Sequence, residues 1–160
     1  MSGAALGMHN DVPVMVFTGS GFVGRKLLEY SARSNLKRVY LELGGKSPNV
    51  VFADAPDLKQ AATVSAMGIV RDSGQVCVAG SRLLVEESIR DEFLEHLKTV
   101  AEQLRVGDPL DLNNQVGAIN NASQLQKNLG FAETAQAEGA TLITGGQQIN
   151  QESGGYYMAP

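Results

Sequence analysis

Three features of this 160-residue chain combine residue types and spacings that could do chemistry. Gly19-Ser20-Gly21-Phe22-Val23-Gly24 spells G-x-G-x-x-G. Set between a strand and a helix, such a turn aims backbone N–H groups and the positive end of a helix at a pyrophosphate. Glu42 follows 18 residues after Gly24, where a dinucleotide-binding unit keeps an acid for ribose hydroxyls. Cys77 is the one cysteine; as a thiolate it would be a nucleophile, and as a thiol it is a small buried hydrophobe. Residue type alone leaves both readings open at each place. A glycine-rich turn can be ligand-free, and Ser20 suits a helix N-cap as well as a phosphate, because both use the same N–H groups.

The elements that must carry these residues are legible from periodicity. Residues 1–11 read as a loop, and the apolar run 12–17 reads as a buried strand. Val23, Leu27, Leu28 and Tyr30 recur at helical spacing over 22–34, and 38–43 reads as a second strand. Gly44-Gly45 and Pro48 punctuate before a third strand at 49–53. Asp57 caps a helix whose small face includes Leu58, Ala61, Ala62 and Ile69, and which frays near Asp72-Ser73-Gly74. A strand at 82–85 precedes the clearest helix, 88–104, with its stripe Ile89, Phe93, Leu97, Val100 and Leu104. Gly107-Asp108-Pro109 stops it. A helix at 123–138 and a short strand at 141–144 lead to a glycine-rich tail. Strands alternating with helices predict an α/β fold with a mostly parallel sheet covered on both faces.

Composition narrows the function classes. Lys plus Arg is 13 against 17 Asp plus Glu, a net charge of −4, which argues against nucleic acid as a partner. With 43% hydrophobic and 19% charged residues the chain can bury a core. No apolar run reaches the roughly 18–20 residues a membrane span needs. The first ten residues lack the charged and apolar regions of a signal peptide, and the expected location is cytoplasmic. One cysteine excludes an internal disulfide, and two histidines without partner spacing give no metal cluster. Lys37-Arg38 reads as a two-residue step on solvated surface.

Longer strings are far more specific than the glycines. Phe17-Thr18-Gly19-Ser20 with Val23-Gly24-Arg25 forms one block. Glu42-Leu43-Gly44-Gly45-Lys46-Ser47-Pro48, continuing through Asn49-Val50-Val51-Phe52-Ala53-Asp54, forms a second. Gly74-Gln75-Val76-Cys77 with Ala79-Gly80-Ser81-Arg82 forms a third. In order and spacing the chain resembles the NAD(P)-dependent aldehyde dehydrogenases, and the likeness runs on through Val106-Gly107-Asp108-Pro109 to Gly154-Gly155-Tyr156-Tyr157. It looks most like the branch acting on gamma-glutamyl-gamma-aminobutyraldehyde. Gly21-Phe22 departs from the family, which commonly has a hydroxyl residue and an acid there.

The resemblance implies a role for each block. Cys77 would be the nucleophile that forms a thiohemiacetal and then a thioester, and Glu42 the base that activates the hydrolytic water, in place of a ribose contact. Thr18, Gly19, Ser20, Val23, Gly24 and Leu43 would line the NAD (or NADP) site, with no metal. Residues 1–43 would be the last piece of a Rossmann-like cofactor domain and 44–160 the first part of the catalytic domain. Family members are several-fold longer, so the expectation is a slice of an enzyme, a homo-oligomer in its parent form, acting on a small-molecule aldehyde. The slice lacks the family's earlier ribose-binding strands, its oxyanion-binding Asn and its later nicotinamide contacts. The alternatives are a stand-alone Rossmann-type nucleotide-binding module or a non-catalytic remnant of the fold.

Overall fold

Alternation shapes the first half of the chain. The computed structural model describes residues 2–160. In β1 (Val14–Gly19) and β2 (Arg38–Leu43), Met15, Phe17, Val39, Leu41 and Leu43 are half-buried. Val14, Val16, Tyr40 and Glu42, on the alternate positions, are exposed. The strands pair in parallel, from Val14 opposite Arg38 to Gly19 opposite Leu43. A parallel pair needs a long crossover, and the helix Gly21–Ala32 supplies it. Two residue positions lie outside the expected bounds of β1, which starts and ends two residues later than the run 12–17 suggests. Leu28, counted in the helical stripe, is exposed on the outer side.

The structure departs from the sequence expectation at two places in this region. Where a leading loop is expected, residues form α1 (Ser2–Met8), since Ala4, Ala5 and Leu6 are strong helix formers; the crossover helix is therefore α2. Lys37, read as solvated, is 5% exposed. Its ammonium donates to Gly7 O at 2.7 Å, His9 O at 3.0 Å and Ser34 Oγ at 3.1 Å. Three donors meet three acceptors, two carbonyls at the C-terminal end of α1 and a hydroxyl just past α2, so the charge is hydrogen-bonded rather than solvated. Ser31 Oγ donates to Lys37 O at 2.7 Å, and Asn35 Nδ2 donates to Asn10 O at 2.6 Å, pinning the same corner.

A second compact unit, Lys46–Pro160, follows the first, which ends at Gly45. It opens with another crossover: β3 (Pro48–Val51) and β4 (Arg82–Val85) pair in parallel around α3 (Leu58–Val70). Asp57 caps α3 as expected, accepting from Gln60 N–H at 2.8 Å. A 3-10 turn, Glu87–Ile89, enters α4 (Arg90–Gln103). Phe93 is fully buried with Ala62 and Val51, and Leu58, Leu83, Ile89 and Leu97 pack around them. The Ile89-Phe93-Leu97 stripe is therefore core. Glu86 fastens the β4–α4 turn, accepting from Ala53 N–H at 2.8 Å and Ser88 Oγ at 2.7 Å.

Beyond α4 the chain carries α5 (Ala122–Ala137), capped by Asn121, and a short antiparallel hairpin, β5 (Gln148–Ile149) with β6 (Tyr157–Met158). The expected strand at 141–144 does not form: Gly139, Gly145 and Gly146 all have positive φ, and no strand edge pairs with the segment between them. The parallel pairing is as expected, but the ladders are two-stranded and one-sided. Val14, Val16, Tyr40, Val50 and Leu84 remain exposed on the faces without a packed helix. No helix among the described residues is long and apolar enough to cross a membrane.

Phe93→Ala should cost about 3–5 kcal/mol, the usual range for truncating a fully buried Phe, measured by urea unfolding. A loss below about 1 kcal/mol would mean that Phe93 does not close this core. Hydrogen bonds from Ala53 N–H and then Ser88 hold the Glu86 carboxyl below its ordinary pKa. That contribution is complete above the unfolded carboxyl's pKa and is lost as pH falls through the lower folded one. Acid titration of the unfolding midpoint should therefore flatten in Glu86→Gln; an unchanged slope would remove Glu86 from the acid response.

Candidate functional site

The glycine turn lies where β1 hands over to α2. Thr18 stands opposite Glu42 and Gly19 opposite Leu43, at the C-terminal edge of the parallel pair. Ser20 is the N-cap: Val23 N–H donates to Ser20 Oγ at 3.3 Å, and Gly24 N–H donates to Ser20 O at 3.0 Å. The N–H groups of Gly21 and Phe22 come before the first helical bonds, the arrangement that lets a helix start receive an anion. Gly24 is buried, and a Cβ there would meet Leu43 Cδ2 at 3.2 Å and Leu41 Cδ1 at 3.3 Å. Its lack of a side chain sets how closely α2 approaches β2. Phe22 is 68% exposed, with Lys26 Nζ 5.0 Å from its ring centroid.

Six residues named from the sequence thus gather at one strand edge: Thr18, Gly19, Ser20, Val23, Gly24 and Leu43. Glu42 joins them on the exposed side of β2, while Leu43 and Gly24 lie on the helix side. Register assigns these sides, because neighbouring residues of a strand face opposite ways.

Cys77 belongs to the second unit. It is exposed, at the crest of the loop that runs from the end of α3 to β4. Ala79 N–H donates to Val76 O at 3.2 Å and Ser81 N–H to Ala79 O at 2.7 Å; the Cys77 N–H is not among the donors that close this turn. Downstream, Ala79 is buried and Arg82 N–H donates to Ser47 O at 3.2 Å. Upstream lies the turn Arg71–Gly74, with Asp72 at φ 49°, Ser73 at φ 57° and Gly74 at φ 72°. Ser73 Oγ donates to Gly117 O at 2.9 Å, and Asn120 N–H donates to Gln75 Oε1 at 3.2 Å. Sequence periodicity predicts only a fraying helix here. Asp-Ser-Gly, three residue types favoured in turns, is the local signal in the sequence.

An apolar hollow of about 360 Å³ adjoins this turn, with Ser73, Gly74, Gly117, Ile119 and Phe131 in its walls. Cys77 does not line it, so it does not serve the thiol. No cluster of three or more His, Cys, Asp or Glu that could hold a metal occurs among the described residues.

Comparison with known proteins places this geometry in context. A family model described as the aldehyde dehydrogenase family matches residues 1–160. The NADP/NAD-dependent aldehyde dehydrogenase PuuC of Escherichia coli K12 is 46% identical over 144 residues, which is 90% of this chain and 29% of that protein. A crystal structure of indole-3-acetaldehyde dehydrogenase with NAD+ superposes with a TM-score of 0.96 at 48% identity, over 99% of this chain and 32% of the other. The gamma-glutamyl-gamma-aminobutyraldehyde dehydrogenase of Burkholderia cenocepacia gives 0.95 at 47% identity, again over 99% and 32%. The chain spans about a third of the length of the curated relatives it matches.

Gly24 offers a direct check of the glycine turn. Alanine needs Leu41 and Leu43 to give by a few tenths of an ångström, which the ends of flexible side chains can do. Gly24→Val should cost about 1–3 kcal/mol by overpacking, and clearly more than Gly24→Ala, in thermal unfolding. Equal effects of the two would show that α2 does not depend on this close approach.

Proposed function

We propose, on the premise that this chain belongs to the aldehyde dehydrogenase family, that it carries the nucleophile, the general base and part of the cofactor cradle of an enzyme that oxidises aldehydes to carboxylic acids. Supporting this reading is the family match across the whole chain, combined with the exposure of both reactive side chains, Glu42 and Cys77. We assign residues 1–43 to the cofactor domain and 44–160 to the catalytic one.

The β1–α2 turn fits a dinucleotide. It has a capped helix start with two leading N–H groups and a glycine where helix and strand approach most closely. Thr18, Gly19, Ser20 and Val23 are the residues we assign to hold it, with Gly24 and Leu43 setting the helix position beneath. When bound, NAD(P) supplies the hydride acceptor.

The remaining chemistry belongs to this chain's own groups. Cys77 Sγ, as thiolate, adds to the aldehyde carbon, and the carbonyl oxygen becomes an oxyanion. The Cys77 backbone N–H, which closes no bond of its own turn, is the donor we assign to that oxygen. Loss of hydride from the carbon leaves a thioester on Cys77. The Glu42 carboxylate then takes a proton from water as the water oxygen attacks that thioester. The C–S bond breaks, Cys77 returns as thiolate and the carboxylic acid leaves.

Substrate is assigned at the level of class. Solved structures at 48% and 47% identity bear the names of an aromatic and an aminoacyl aldehyde, so likeness supports an aldehyde without choosing between them.

A chimera tests the assignment. These 160 residues replace the matching segment of the Burkholderia cenocepacia enzyme, and NADH formation is followed with an aldehyde substrate. Cys77→Ala should abolish turnover. Glu42→Gln should slow steady-state turnover by about 10²–10⁴ while leaving a pre-steady-state burst, because the base acts after hydride loss. Unchanged steady-state turnover in Glu42→Gln would exclude it as the base.

A further inference from the structure

We infer that Ser73 and Gln75 are positioning residues for Cys77, acting through two long-range hydrogen bonds that hold a strained turn just upstream of it. The inference rests on reading Cys77 as the nucleophile. Asp72, Ser73 and Gly74 occupy the left-handed region in succession, at φ 49°, 57° and 72°. Two of the three are not glycine, and such a conformation persists only where its surroundings over-determine it.

Those surroundings are distant in sequence. Ser73 Oγ reaches Gly117 O across 44 residues, and Gln75 Oε1 receives Asn120 N–H across 45. Locally the turn is closed by one backbone bond, Gln75 N–H donating to Asp72 O at 3.1 Å, and the two distant bonds add to it. The receiving segment is itself fixed. Gly107 N–H donates to Val116 O at 3.0 Å, and Ile119 N–H donates to Tyr156 O at 2.8 Å. Asn121 caps α5, and Val116 and Ile119 are each 6% exposed. This buried segment works as a rail on which the 73–75 turn is fastened. Downstream, buried Ala79 and the Arg82 to Ser47 bond hold the other end of the loop. Cys77 is thus suspended between two anchors, and its direction follows from the upstream one.

Because Cys77 is the one cysteine, its alkylation by iodoacetamide reads its surroundings without ambiguity. The reaction needs neither aldehyde nor cofactor. It therefore judges the two ties, while the chimera judges the nucleophile, and the two can fail separately. The second-order rate is measured across about pH 6–10 for the unaltered chain, Ser73→Ala, Ser73→Gly and Gln75→Ala, with circular dichroism as the check on folding. Ser73→Ala and Gln75→Ala should each change the limiting alkylation rate by about threefold or more. Ser73→Gly also loses the hydroxyl but relaxes the left-handed strain, so its profile should stay closer to that of the unaltered chain. If Ser73→Ala does not fold, Gln75→Ala, at an exposed side chain, decides alone. Alanine variants that fold and follow the unaltered profile would overturn the inference, as would Ser73→Gly matching Ser73→Ala.

Discussion

Parallel pairing of β1 with β2 is the constraint from which most of the first unit follows. Two parallel strands cannot be joined by a tight turn, so the chain must travel back along the ladder before starting the second strand. A helix is the shortest fully hydrogen-bonded way to do so, and it must lie against one face of the strands. Its start then falls beside the C-terminal edge of β1. Ser20, Gly21 and Gly24 occupy that start, and Glu42 reaches the same edge on β2. The position of the candidate chemistry is therefore a result of topology before any side chain is considered. The second unit repeats the logic, with α3 returning between β3 and β4 and the Cys77 loop leading into β4.

The same topology has a cost visible on the surface. A helix covers one face of each ladder and leaves the other to solvent, where Val14, Val16 and Tyr40, and separately Val50 and Leu84, lie open. Parallel ladders in α/β proteins are normally covered on both sides. The stability of the chain then depends on tight packing at the covered faces: Phe93, Ala62 and Val51 in one unit, Leu27 with Gly24 in the other. Polar groups that had to be buried were satisfied there, as with Ser65, whose Oγ receives Asn49 Nδ2 at 2.9 Å.

What could be read from the sequence was what depends on neighbours within one element. The Asp57 cap, the 82–85 strand and the Ile89-Phe93-Leu97 stripe are local patterns, and each stands in the structure as expected. The glycine turn was legible too, since a strand, a G-x-G-x-x-G and a helix are consecutive in the chain. What escaped reading depends on residues far apart. The burial of Lys37 requires carbonyls 28 and 30 residues earlier, and charge in a sequence ordinarily signals solvent. The ties of Ser73 and Gln75 require a segment more than 40 residues later. The 141–144 segment shows the converse, in which local apolar character suggested a strand and no partner edge existed to make one.

The register of β1 and β2 has a further consequence, for how length can vary among descendants of this chain. Glu42 faces away from α2 because an odd–even rule assigns its side, while Lys37 is locked at the start of the strand by its own burial. One residue inserted between them would turn the carboxylate under the helix and bring Leu43 out into water. Two inserted residues would restore the original facing, one repeat further along. Insertions and deletions in this strand are therefore sorted by parity and not by size. The loops at either end of it, which carry no such rule, are where length is free to drift.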